Sequence, residues 1–302
     1  MAEKVTLCIP AYQAEAFLDE TLASAFAQTW KNLEILISVD ASTDNTAAIA
    51  QSHRDRPWTR IVVHDKRLGW IGNTNYVLSQ IRSRYAMILP HDDLIDRDYV
   101  ETCMAGLLDN TSAAICYSDL DTVDGRVGAM EQPSVMGNLN QRLTSMLRKH
   151  FAAVAFRGVF DRMKAPNHAI PQAIGGFAAD TLWFTRLGCQ GELIRIPGAR
   201  YHKRLLESSA HRHWFRATAT ERHEMWAVHC LEMAETIFDA CPSLEWTPEL
   251  QSAWIGRVIS NMFSAKKNPL YTDVSRSITD HVSDIFERVR RRPVPYGWVR
   301  SS

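Results

Sequence analysis

Leu33-Glu34-Ile35-Leu36-Ile37-Ser38-Val39-Asp40-Ala41-Ser42-Thr43-Asp44 decides how the chain is read. Its apolar run lacks clean alternation, the pattern of a strand buried on both faces. It then breaks into acids and hydroxyls, and residues 46–53 follow as a short helix. The same unit recurs on either side. Upstream, residues 5–9 form an apolar run that stops at Pro10. Phe17, Leu18, Thr21, Leu22, Ala25 and Phe26 then mark a helical stripe. Downstream, strands are predicted at 60–63, 85–89 and 113–118, with helices at 73–84 and 97–108 between them. Strands alternating with helices predict an α/β fold with a mainly parallel sheet flanked by helices.

Beyond residue 118 the pattern loosens. Asp124-Gly125 marks a hairpin turn. Residues 139–149 read as a helix and 150–176 mostly as loops. Gly175-Gly176 precedes a helix at 179–187, and a strand at 193–196 ends at Pro197-Gly198. The last part of the chain is helical. Met225, Val228, Leu231, Ala234 and Phe238 recur at helical spacing. Thr247-Pro248-Glu249 is a helix start, ahead of Leu250, Trp254, Val258 and Met262. Val274, Ile278, Val282, Ile285 and Val289 mark a third helix. The reading divides the chain into an α/β domain, 1–205, and a helical region, 206–302.

Lys plus Arg and Asp plus Glu each number 34, so the net charge is zero. That balance argues against a nucleic-acid partner, which calls for a basic excess. None of the six cysteines forms a C-x-x-C, so they read as reduced thiols. Met1-Ala2-Glu3-Lys4-Val5 lacks a signal-peptide core. No stretch approaches the ~18 apolar residues of a membrane span. The expectation is a cytoplasmic protein, at most peripheral at the inner face of the membrane. Arg288, Arg290, Arg291 and Arg292 beside Tyr296 and Trp298 could meet an anionic surface or simply end a solvated helix.

Open parallel sheets bind ligands beyond the carboxyl ends of their strands. Pro10-Ala11-Tyr12, Asp40 to Asp44, and Pro90-His91-Asp92-Asp93 all stand there. Asp92 and Asp93 could bind a hard metal ion or cap a helix, although Asp96 stands where that cap is needed. Asp40 could face a ligand or satisfy turn amides, and Asp44 reads as a cap for the helix after it. Asp180 is either a general base or an acid favoured in a helix's first turn. Arg67 reads as a phosphate ligand or a solvated arginine. Trp183 reads as packing or an acceptor wall. His211, His213, His223 and His229 read as a polar helical face.

Several segments together resemble a family 2 glycosyltransferase of the GT-A fold, whose nucleotide-binding half is Rossmann-like. They are Ile9-Pro10-Ala11-Tyr12, the 22–29 and 34–46 segments, Gly69 with Asn75, and His91-Asp92-Asp93. Ala179-Asp180-Thr181-Leu182-Trp183 with Arg186-Leu187 completes the set. The resemblance covers residues 4–204. It implies a nucleotide-sugar donor, UDP-linked by preference, a divalent Mn2+ or Mg2+, and inverting transfer to a glycan, lipid-linked or small-molecule acceptor. It assigns Asp180 as the base, Asp93 as the metal ligand and Asp92 to the ribose or metal. Asp40, Pro10, Ala11 and Tyr12 would hold the base, and Arg67 the nucleotide. His202 would join the metal, with Lys203 and Arg204 as rivals for the phosphates. The helical region would shape the acceptor site or a homodimer interface. Val39, Pro90 and Ala179 stand where the family often has acids. The competing expectation is a GT-A module that binds nucleotide or glycan without turnover. A nucleotidyltransferase or a dinucleotide dehydrogenase is disfavoured, because no glycine-rich loop follows the first strand.

Overall fold

The computed structural model describes residues 2–125, 130–148, 154–165, 169–171, 173, 176–206 and 219–262. In chain order they form β1 (Val5–Ala11), α1 (Leu18–Phe26), β2 (Leu33–Val39), α2 (Thr46–Ser52), β3 (Thr59–Val63) and α3 (Gly69–Ser79). Next come β4 (Tyr85–Ile88), β5 (Leu94–Ile95), α4 (Tyr99–Asp109), β6 (Ala113–Thr122), α5 (Leu139–Arg148) and β7 (Val159–Asp161). The described chain ends with α6 (Ala179–Gln190), β8 (Glu192–Lys203), α7 (Ala219–Ala240) and α8 (Pro248–Met262).

The strands form one sheet in the order β3-β2-β1-β4-β7-β6-β8-β5. β1 through β4 run parallel, which sends the loops after β1, β2 and β4 to one edge. The short β7 lies antiparallel between β4 and β6, and β5 lies antiparallel to β8. Leu7, Ile9, Leu36 and Ile37 are buried in the sheet's core, as both-faced burial demands. The α/β expectation holds, and helices follow the sheet toward the C-terminus.

Several boundaries differ from the sequence reading for identifiable reasons. α3 starts at Gly69, not at 73, because the Asp40 carboxylate accepts the amides of Leu68 and Gly69 at 2.5 and 2.9 Å. β8 does not stop at Ile196. It continues to Lys203, and its register against β6 slips between Arg195 and Arg200, where Pro197 and Gly198 stand. An irregularity of three extra residues in β8 thus absorbs the Pro197-Gly198 pair that read as a turn. The Asp124-Gly125 hairpin brings Leu120 against Met130. β5 and β7 are too short to carry a periodic signal.

α6 is held by Trp183, only 1% exposed, whose ring meets Phe156 and Phe160 edge-on with centroids 5.3 and 5.2 Å apart. Trp183 is therefore a packing residue. The start of α8 bears the expected cap, with the Leu250 amide 3.3 Å from Thr247 Oγ1. α7 packs on α6, and α8 on α5. The third predicted helix and the 288–298 segment lie outside the described residues, as do His211 and His213. No helix among the described residues is long and apolar enough to cross a membrane.

Candidate active site at the strand ends

The loops after β1 and β2 close against each other. The Asp40 amide donates to Ala11 O at 2.8 Å, and His91 Nδ1 lies 3.2 Å from Pro10 O. Gln13 and Ala41 both adopt left-handed backbone, with φ of 48° and 44°. Such conformations persist only where the surroundings enforce them. Here Gln13 Oε1 accepts the Thr43 amide at 2.8 Å, locking the two loops together. Asp40 is 1% exposed, and its two oxygens accept the amides of Leu68, just before α3, and of Gly69, its first residue. It acts as an anchor for the start of α3. Arg67, just before α3, lies over the Tyr12 ring at 3.8 Å. Asp44 Oδ1 accepts the Thr46 amide at 3.1 Å from one residue before the N-cap position of α2, which Asn45 holds without a side-chain cap bond of its own. Asn75 grips the Ile170 backbone with both ends of its amide, at 2.9 and 2.6 Å.

The loop after β4 meets the end of β8. Asp93 is 2% exposed. Its Oδ2 accepts the Tyr201 hydroxyl at 2.6 Å and faces Arg157 Nε at 3.5 Å, while Oδ1 accepts the Arg204 amide at 2.8 Å. Asp92 differs from its neighbour. Its carboxylate takes no hydrogen bond from any other described residue, and burial, then the charge of Asp93, raise its pKa. Arg204 steadies this turn by donating Nε–H to Asp92 O at 3.0 Å while its guanidinium reaches Glu20 at 2.7 Å.

β8 fixes which residues share this space. Side chains alternate along a strand, so Tyr201 and Lys203 face one side and His202 the other. His202 Nε2 lies 2.7 Å from Asp96 Oδ1. In this structure His202 pairs with Asp96, and it is Tyr201 that hydrogen-bonds Asp93. The expectation for Asp96 is corrected. It binds His202 and the Arg200 amide instead of capping α4. Among the described residues, no cluster of three His, Cys, Asp or Glu side chains forms a metal cage.

Asp180 enters from the first turn of α6, beside Ala178, whose φ is 49°. Burial raises its pKa, and the Arg157 charge, the Thr181 amide and Lys203 pull the other way. Arg157 lies beside Asp93 and is largely covered. Burial disfavours its charge, but Tyr201, Asp93 and Asp180 outweigh that and raise its pKa overall. Lys203 is pushed down by burial and by Arg157, against the pull of Asp93, Asp180 and Asp92. Three carboxylates and two cations thus act on one another at the carboxyl ends of the strands.

Residues 6–175 match the family model described as glycosyl transferase family 2, more than half of the chain. The chain belongs to that family. A curated relative, the glycosyltransferase GlyA of Streptococcus pneumoniae, is 31% identical over 100 residues. The match takes in 33% of this chain and 14% of GlyA. Among solved structures, S. aureus TarS 1-349 in complex with UDP-GlcNAc superposes with a TM-score of 0.61 at 16% identity, covering 93% of this chain and 88% of that one. The mannosyltransferase PcManGT from Pyrobaculum calidifontis, in complex with GDP-Man and Mn2+, gives 0.59 at 14% identity, over 96% and 80%. At these identities the likeness establishes the GT-A architecture.

Within this family member, sequence reasoning overlooked Arg157 and Tyr201. Tyr201 could have been found by alternation, since it shares a face with Lys203 once β8 runs past Pro197. Arg157 carried no signal. It sits in the stretch that read as loops, one residue before Gly158, where any side chain would meet Cys116 O at 2.3 Å. That close approach of β7 to β6 seats Arg157 under Asp93.

Proposed function

We propose that the protein transfers a glycosyl group, with inversion, from a nucleotide-sugar to a hydroxyl of a glycan, lipid-linked or small-molecule acceptor. The observation that carries this reading is the mutual electrostatic contact of Asp92, Asp93 and Asp180 with Arg157 and Lys203 at the strand ends. The bound UDP-GlcNAc of TarS and GDP-Man of PcManGT support a nucleotide-sugar as donor class, with UDP as the leading candidate. Asp40 and the Tyr12–Arg67 pair would border the nucleotide, with Pro10 and Ala11 as its wall.

A divalent ion such as Mn2+ or Mg2+ fits Asp92 better than Asp93. Hard ions take one or two carboxylates plus substrate phosphates. The Asp92 carboxylate is free of hydrogen bonds from other described residues, whereas both oxygens of Asp93 are held by the protein. When bound, such an ion offsets charge growing on the diphosphate. Asp93 orders the turn that presents Asp92. Lys203, whose side chain makes no hydrogen bond or ion pair among the described residues, would meet the diphosphate oxygens. Asp180 would take the acceptor's hydroxyl proton as that oxygen attacks the anomeric carbon. The same reading gives the transferase domain to residues 1–205, and an acceptor border or dimer contact to 206–302.

Calorimetric titration of UDP, GDP, CDP and dTDP, each with and without Mn2+, tests the donor site. The expected result is metal-assisted binding of one diphosphate that Asp92→Ala removes. Transfer assays with Asp180→Asn then separate an enzyme from a binding module. Binding of none of the four by folded protein would overturn the proposal.

A further inference from the structure

The far end of α6 carries a second constellation, remote in sequence from the carboxylate cluster. Cys189 lies in the last turn of α6, and Cys241 directly follows α7. The two helix ends are tied together by Gln190, whose Nε2 donates to Ala240 O at 3.2 Å. Between them the Cys189 and Cys241 thiols lie close enough to shift each other's pKa. Both residues are buried.

Arg142 of α5 converges on the same point. Its Nε donates to Gly188 O at 2.9 Å and its Nη2 to Cys189 O at 3.2 Å. Its positive charge favours the thiolate form of either cysteine. The Cys241 pKa is lowered, first by the neighbouring Cys189 thiol. A thiolate beside a cation, with a second thiol in contact, is the arrangement of an exchange-competent dithiol. Cys8, Cys103 and Cys116 show the opposite, each driven upward first by burial.

We propose that Cys189 and Cys241 are a site of reversible disulfide formation by exchange with a low-molecular-weight disulfide of the glutathione class. The Cys241 thiolate attacks one sulfur of glutathione disulfide. A mixed disulfide forms and one glutathione thiolate leaves. Cys189 then gives up its proton and attacks the Cys241 Sγ, expelling the second glutathione thiolate. From the thiolate–thiol pair the protein loses two electrons and one proton, and glutathione disulfide, with that proton and one from solvent, becomes two glutathiones. The bond staples the end of α7 to the helix that begins at Asp180.

The test equilibrates the full chain in glutathione buffers of graded oxidised-to-reduced ratio. Free thiols are then alkylated, and the disulfides mapped by peptide mass spectrometry alongside a thermal melt. The expected result is a Cys189–Cys241 linked peptide whose yield follows the ratio, with the other four cysteines alkylated. The melt should rise by on the order of 5 °C on oxidation, because the bond closes a long loop. Cys189→Ser should stop at a glutathione adduct on Cys241, and both it and Cys241→Ser should lose the oxidation-dependent rise. Alkylation of both cysteines in folded, fully oxidised wild type, or an unresolved glutathione adduct there, overturns the proposal without touching the donor-site reading.

Discussion

Tyr201 donates its hydroxyl to Asp93 Oδ2 across 2.6 Å, although 108 residues separate them. The contact follows from the antiparallel pairing of Ile95 with Tyr201 and Leu94 with His202. Two residues of β5 are enough to bring the loop after β4 onto the end of β8. The hydroxyl, Arg157 and the Arg204 amide together satisfy Asp93, so this carboxylate orders the turn and its neighbour Asp92 is left open.

Removing the hydroxyl tests that role. A buried hydrogen bond to a charged group contributes about 1.5–3 kcal/mol. Tyr201→Phe should therefore lower unfolding stability by about 2 kcal/mol in urea titrations. Weaker Mn2+-assisted UDP binding should accompany the loss, because Asp93 no longer fixes the turn that presents Asp92.

The pH dependence of transfer tests Asp180. A base must be ionised, so the rate rises with pH as its proton leaves. Burial raises the Asp180 pKa. The acid limb of kcat/KM should thus lie above the ordinary aspartate value of about 3.9. Asp180→Asn should remove that limb and cut kcat by about 100-fold or more, the usual contribution of a positioned base.

Much of this was legible beforehand. β2 spans Leu33–Val39, as its apolar run required, and the helices after β1 and β2 fall where the sequence places them, while the one after β3 starts four residues early. Asp40, Asp92 and Asp93 follow β2 and β4, whose parallel course sends their C-terminal loops to one edge, whereas Asp180 comes from the first turn of α6. What stayed hidden depends on tertiary placement. Two-residue β5 and three-residue β7 have no periodicity to read. Pro197-Gly198 has the composition of a turn and is accommodated as a bulge, so the face that Tyr201 and Lys203 share was not foreseen. His202 looked like a ligand by type and position, and strand alternation turns it toward Asp96.

Trp183 tests how α6 is seated. It fills the space between Phe156 and Phe160 with almost no exposure. Trp183→Ala should cost about 3–5 kcal/mol, the range for deleting a buried large aromatic. Trp183→Phe should recover part of that loss. Because Asp180 heads the same helix, transfer should fall in both variants, while nucleotide binding in the folded fraction should change less.

The two neighbouring acids should respond oppositely to the same chemical change. Asp93→Asn removes the carboxylate that pairs with Arg157 and weakens the Tyr201 bond. Breaking one side of a buried ion pair costs about 3–5 kcal/mol. That loss should appear in urea melts with no nucleotide present. Asp92→Asn removes a buried charge that is destabilised by Asp93 and bound to no other described residue. Its stability should match or slightly exceed wild type, while Mn2+ should no longer strengthen UDP binding. A large stability loss in Asp92→Asn with none in Asp93→Asn would reverse the roles assigned to the pair.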